Sequence, residues 1–112
     1  MKVSGKREEF TTGSRRDNQE GRGRYDLLPP KAIHEVAQRF ENGAAAYGDR
    51  NWEKGQPLSR YIGSALRHSL AVLAGETDEN HAAAAAWNWL AFIETRARIA
   101  AGTLPAELND LP

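Results

Sequence analysis

Residues 81–93 read HAAAAAWNWLAFI, and no other part of the chain constrains the fold as much. At helical spacing this run is apolar on nearly every side, the pattern of a helix that lies in a core. Within it, His81 and Asn88 stand seven residues apart, two turns along one stripe. Burying either without a hydrogen-bond partner is costly. The preceding segment supplies two groups that could face them, Arg67 and His68.

The rest of the chain supports an all-α fold of three helices. Pro29-Pro30 opens the first, and Ile33, Val36, Ala37, Phe40, Ala44 and Tyr47 form its apolar stripe before Gly48 ends it. After the loop 48–57, Ser59 is a candidate cap for the second helix. Ile62, Ala65, Leu66, Leu70 and Leu73 are its expected inward face, and Gly75 stops it. Asp78 is expected to cap a third helix from about Glu79 to Ala101, closed by Gly102 and Pro105. The second and third helices then make an antiparallel hairpin. No strand is expected. Residues 1–28 read as an irregular basic arm, 29–102 as the helical domain and 103–112 as a loosely docked extension.

At 112 residues the chain is one small domain with a limited core, so a homo-oligomer is expected to complete it. There is no cysteine, which excludes disulfides and thiolate metal sites. No apolar run approaches the roughly 20 residues of a membrane span, and no signal-peptide pattern opens the chain. Residues 1–24 carry seven basic and four acidic side chains, a net +3 within a neutral chain. That suits an anionic ligand but is too weak for duplex nucleic acid.

Four groups of residues carry possible chemistry. Glu76, Asp78, Glu79 and His81 offer oxygen and imidazole ligands for Mg²⁺ or Mn²⁺. The same acids also serve a helix N-terminus through capping and the helix dipole. Arg67, His68 and Asn88 could hold phosphate, relay a proton and read a base edge, or could form a buried network bracing two helices. With a symmetric turn near Thr77, Arg67 and His68 are expected level with residues 86–88, about 15 Å from the turn, whereas His81 lies nearer the turn, so two separate polar patches are expected. Tyr47, Arg50, Asn51 and Trp52 combine π faces with donors, as a base-stacking loop would; the alternative is a joining loop whose Trp52 plugs the core. Arg16, Arg24 and Tyr25 lie in a glycine-rich arm that could wrap a phosphate or simply be solvated. His34 falls on the polar side of the first helix. Trp87 and Trp89 read as core or interface residues.

Taken in order, several of these segments resemble the small phage family named for dATP/dGTP diphosphohydrolase, often its N-terminal domain. They are Thr12-Gly13 with Arg16-Asp17, then Gly21 to Leu27 with Pro29, Tyr47-Gly-Asp-Arg-Asn-Trp52, Arg67-His68, Gly75 to His81, and Trp87-Asn88. The resemblance covers roughly residues 10–95. It implies a phage or prophage origin, a purine nucleotide ligand and the cytoplasm of an infected bacterial host. For catalytic members it implies a divalent metal and cleavage of a deoxynucleoside triphosphate to monophosphate and pyrophosphate. On that reading Asp78, Glu79 and His81 hold the ion, Arg24, Arg50 and Arg67 clamp phosphates, Glu76 is the base and His68 a proton relay. Ala45 and Ala46 stand where many relatives carry Lys, and Ala84 where some carry a second His. Both losses favour an alternative: a metal-free, non-catalytic sponge that sequesters a nucleotide signal of bacterial immunity.

Overall fold

The computed structural model describes residues 7–112. Helix α1 spans Pro30–Tyr47, α2 spans Leu58–Leu73 and α3 spans His81–Ala100. Pro30 sits in the first turn of α1, where its missing N–H costs nothing. At the end of α2, Gly75 takes φ +75°, and the following Glu76 N–H returns to the Ala71 carbonyl at 3.0 Å. A residue in that left-handed conformation closes a helix, and glycine reaches it without strain. The helices α2 and α3 form the expected antiparallel hairpin, and α1 packs on α3.

The caps differ from expectation. Helix α3 begins at His81 rather than Glu79, and its cap is Asn80, whose side-chain oxygen accepts from the Ala83 N–H at 3.1 Å. Asp78 is thereby free to bond elsewhere. Ser59 is not the cap of α2; it lies inside the first turn, and its N–H donates to Asp110 Oδ1 at 2.9 Å while its hydroxyl donates to Oδ2. The capping carboxylate comes from the C-terminal tail. Leu111 of that tail packs against the core of Leu58, Tyr61, Ala91 and Phe92. Gly55, at φ +94°, lies so close to the tail that a Cβ would stand 2.6 Å from a Leu108 methyl. The tail 103–112 is thus fastened to the helices rather than loosely docked.

The Ser59 bonds hold the Asp110 carboxyl below its ordinary value of 3.8. A depressed carboxyl stabilises the fold above its unfolded pKa, and that contribution disappears as pH falls through the folded value. The melting-temperature advantage of the native protein over Asp110→Ala should therefore be full near neutrality and shrink progressively below about pH 4. A pH-independent difference in thermal melts would assign Asp110 a packing role only.

Helix α2 has two apolar faces, and the expected inward set holds only in part: Ala65 is buried and Ile62 packs against the core, but the three leucines are not inward. Leu58, Tyr61, Ala65, His68 and Ala71 turn inward, whereas Leu66, Leu70 and Leu73 are 57%, 64% and 84% exposed. The facing surface of α3 includes Ala83, Ala84 and Ala91, all buried. Small residues on both helices let the backbones approach closely, so the leucine stripe is left on the outer flank. On α1 only Val36 is fully buried.

Strands were not expected, yet β1 (Arg7–Glu9) and β2 (Arg15–Asp17) form an antiparallel hairpin. Its pairs are Arg7 with Asp17, Glu8 with Arg16 and Glu9 with Arg15, opposite charges at every position. Such cross-strand pairs contribute about 0.2–1 kcal/mol each. They leave no apolar alternation to read. The basic-arm residues Lys2 and Lys6 lie outside the described residues. The radius of gyration is 18.3 Å, against about 13 Å for a compact chain of this length. No helix among the described residues is long and apolar enough to cross a membrane.

Candidate functional site

A cleft of about 610 Å³ opens between the end of α1, the loop 48–56 and one flank of α2 and α3. Arg60, Ser64 and Arg67 recur on α2 at i, i+4 and i+7, so they form one polar stripe along its wall. Arg39 of α1 and Arg50 of the loop enter from the other side, and among the described residues no carboxylate lines the cleft. Arg39 is paired with Glu79 and Arg50 with Glu53, each at 2.8 Å. Among the described residues Arg60 and Arg67 make no ion pair; Arg67 donates only to Ser64 Oγ at 3.2 Å. Arg67 is exposed, not interior as its position in the helical hairpin suggested. Two unpaired guanidinium groups beside two tethered ones make the cleft a receptor for an anion with several oxygens.

The loop carries strain. Arg50 adopts φ +61°, ψ +17°, the left-handed region, and is the one non-glycine residue with positive φ among those described. Such a residue costs on the order of 1 kcal/mol or more, and strain of this kind gathers at functional sites. Trp52 does plug the core: it meets Phe40 edge-on at 5.8 Å and carries the Arg98 guanidinium 5.6 Å over its ring. Tyr47, by contrast, is 76% exposed at the rim. Trp87 packs against Phe40 at 5.6 Å, and its buried indole N–H has no hydrogen-bond partner among the described residues. An orphaned buried donor costs roughly 1–3 kcal/mol.

The floor of the cleft is reached by His68 and Asn88. Asn88 donates its amide to the Ala84 carbonyl at 2.8 Å, which leaves its own carbonyl oxygen as an acceptor. His68 does not lie level with residues 86–88. Its Nδ1 stands 2.9 Å from Nδ1 of His81, and Nε2 of His81 lies 2.7 Å from Asp78 Oδ1. The two polar patches that a symmetric turn would separate are therefore one. The connection 74–80 is asymmetric, and the first residue of α3 reaches back across it. With Asp78 ionised, the network assigns the proton of His81 to Nε2, so its Nδ1 accepts from His68 Nδ1–H. Burial holds the His68 imidazole below its usual range, and the bond to His81 holds the Asp78 carboxyl below its own.

Around this pair, ligand atoms of His68, Glu79 and His81 lie within 4.8 Å of one another, and so do those of Glu76, Asp78 and His81. Glu76 and Asp78 are exposed, and Glu76 reaches His81 Nε2 only at 3.9 Å. Of the residues singled out from sequence, the structure gathers Tyr47, Arg50, Asn51, Trp52, Arg67, His68 and Asn88 at the cleft and Glu76, Asp78, Glu79 and His81 beside it. It does not bring Arg16, Arg24 or Tyr25 there. Arg16 faces Glu8 in the hairpin, Arg24 is tied to Asp26 at 2.7 Å, and Tyr25 is exposed in the 3-10 turn Tyr25–Leu27. Sequence reasoning missed Arg39, Asn42, Gln56 and Arg60. The i, i+4, i+7 polar stripe of α2 was the available signal for Arg60.

Fold and site together define a mostly helical protein with an anion-receptive cleft adjoining a histidine–carboxylate cluster. The chain belongs to the family described as dATP/dGTP diphosphohydrolase, N-terminal, whose family model matches residues 12–102. No curated protein and no solved structure matches it.

Proposed function

We propose that this protein binds a purine deoxynucleoside triphosphate in the arginine-lined cleft and hydrolyses it to the monophosphate and pyrophosphate. The observation that carries the reading is a carboxylate-free cleft with four arginines whose floor, at His68, is shared with the histidine–carboxylate cluster. A volume of 610 Å³ accommodates a nucleotide. Arg60 and Arg67 would take the phosphates, with Arg50 and Asn51 closing from the loop. Tyr47 would stack on the base, and the Asn88 carbonyl would accept from an exocyclic amine. The orphaned Trp87 N–H supports a ligand acceptor in this region.

The donor set of His68, Glu79 and His81, with Glu76 and Asp78 nearby, fits a divalent ion; Asp78, Glu79 and His81 are the set that the sequence suggested, for Mg²⁺ or Mn²⁺. When bound, such an ion polarises phosphoryl oxygens. Hydrolysis joins a water oxygen to the α-phosphorus and breaks its bond to the oxygen bridging to β. The water proton passes to a base, for which exposed Glu76, 3.9 Å from His81 Nε2, is the candidate, and pyrophosphate leaves with the bridging oxygen. Arginines neutralise the charge that accumulates on the leaving group.

A second reading is the sponge, in the cytoplasm of an infected bacterial host. One observation favours it: the arginines and aromatic rings that would hold a nucleotide lie in the cleft, whereas the carboxylates Glu76, Asp78 and Glu79 lie outside its lining. Incubation with dATP or dGTP and a divalent ion separates the two. Release of pyrophosphate supports hydrolysis. Tight binding with intact ligand recovered after heat denaturation overturns it in favour of sequestration. Either reading includes a homodimer. Leu66, Leu70 and Leu73 share the exposed flank of α2 away from the Arg60–Arg67 stripe, and Trp89 and Ile93 share an exposed flank of α3. A two-helix apolar flank on an antiparallel hairpin is self-complementary about a two-fold axis and closes a four-helix bundle with a second copy.

A further inference from the structure

We propose that His68 and His81, with Glu79, form a site for a borderline divalent ion of the zinc type, in preference to Mg²⁺, and that Asp78 supports the site without ligating. This deepens the hydrolase reading above. Both imidazoles are nearly buried, at 6% and 7% exposure, and they come from different helices. Their Nδ1 atoms are 2.9 Å apart. Two nitrogens bound to one ion at about 2.1 Å, in adjacent positions, stand roughly 3.0–3.4 Å apart. The pair is thus already at nearly the spacing that shared ligation requires.

The surroundings match the needs of such a site. A ligating imidazole is ordinarily oriented by a carboxylate that accepts its other N–H. Asp78 does this to His81 Nε2 at 2.7 Å, which leaves Nδ1 as the ligating atom and moves Asp78 out of the ligand set. Glu79, the third ligand, is held by Arg39 at 2.8 Å. The cluster opens through a shallow depression lined by Ala71, Ala74 and Glu76 as well, so an ion can enter and a position stays free for water or a phosphoryl oxygen. Two imidazoles and one carboxylate select borderline ions, whereas Mg²⁺ takes oxygen ligands in an octahedron. Ala84, fully buried on α3, cannot supply a second imidazole; His68 supplies it from α2.

The test uses the full chain, stripped with chelator, and no nucleotide. Titration with Co²⁺ should give the visible absorption of a low-coordinate, nitrogen-bound ion. Zn²⁺ should displace it stoichiometrically, and a large excess of Mg²⁺ should not. His68→Gln and His81→Gln should each abolish the absorption, and Asp78→Asn should weaken binding by about 10- to 100-fold while retaining the spectrum. Circular dichroism checks that each variant is helical. Should one fail to fold, imidazole ¹⁵N shifts of the native protein with Zn²⁺ supply the same answer: both Nδ1 resonances should move. No Co²⁺ absorption, or a spectrum unchanged by His68→Gln, would overturn the proposal. Nucleotide binding measured in chelator reports separately on the cleft, so failure of the ion site and failure of the nucleotide reading are distinguishable.

Discussion

Replacing Arg60 and Arg67 together by alanine should lower affinity for dATP or dGTP by at least about a hundredfold and leave the melting temperature nearly unchanged. Both side chains are exposed, and neither makes an ion pair among the described residues. Removing them therefore takes little from the folded state. In the complex each would make charge-assisted hydrogen bonds worth about 1.5–3 kcal/mol. Two such losses amount to a hundredfold or more, since about 1.4 kcal/mol is tenfold. Calorimetric titration beside a thermal melt measures both quantities. A large fall in melting temperature with unaltered affinity would place these arginines in the structural framework and move the ligand elsewhere.

The second large effect concerns the outer flank. Leu66→Glu with Leu70→Glu should turn a dimer into a monomer across the micromolar range, as read by sedimentation. Both leucines are more than half exposed in the single chain. Burial of such a side chain contributes about 1.5–3 kcal/mol, and a two-fold interface counts each substitution twice. The native melting temperature should also rise with protein concentration, as mass action requires of a folded dimer. A native protein that sediments as a monomer at every concentration would sink the four-helix arrangement.

The helices were legible because their punctuation is strong: Pro29-Pro30 before α1, and Gly48, Gly75 and Gly102 after α1, α2 and α3. The facing of α2 was legible only at Ala65 and Ile62, because the helix carries two apolar faces and alanine packing decides between them. A leucine stripe looks like a core stripe until the partner surface is known. The β-hairpin was invisible for a different reason: its pairing rests on opposed charges, which carry no period. Part of the cleft was legible residue by residue, in the Tyr47–Trp52 loop and at Arg67, His68 and Asn88, whereas Arg39 and Arg60 were not. The meeting of His68 with His81 was not, since it depends on the path of the connection 74–80, and a symmetric turn predicts the wrong register. Asp110 could not be assigned as a cap from sequence at all; it lies 51 residues from Ser59.

His68 belongs to the floor of the cleft and to the rim of the neighbouring depression at once. Its imidazole ring, with Arg67 beside it, forms a party wall between the two. Whatever fixes its tilt or its lone pair from one chamber sets what it presents to the other. Thermodynamic linkage makes that traffic two-way: an occupant of the depression that tightens nucleotide binding by some factor is itself held tighter by the nucleotide, by the same factor.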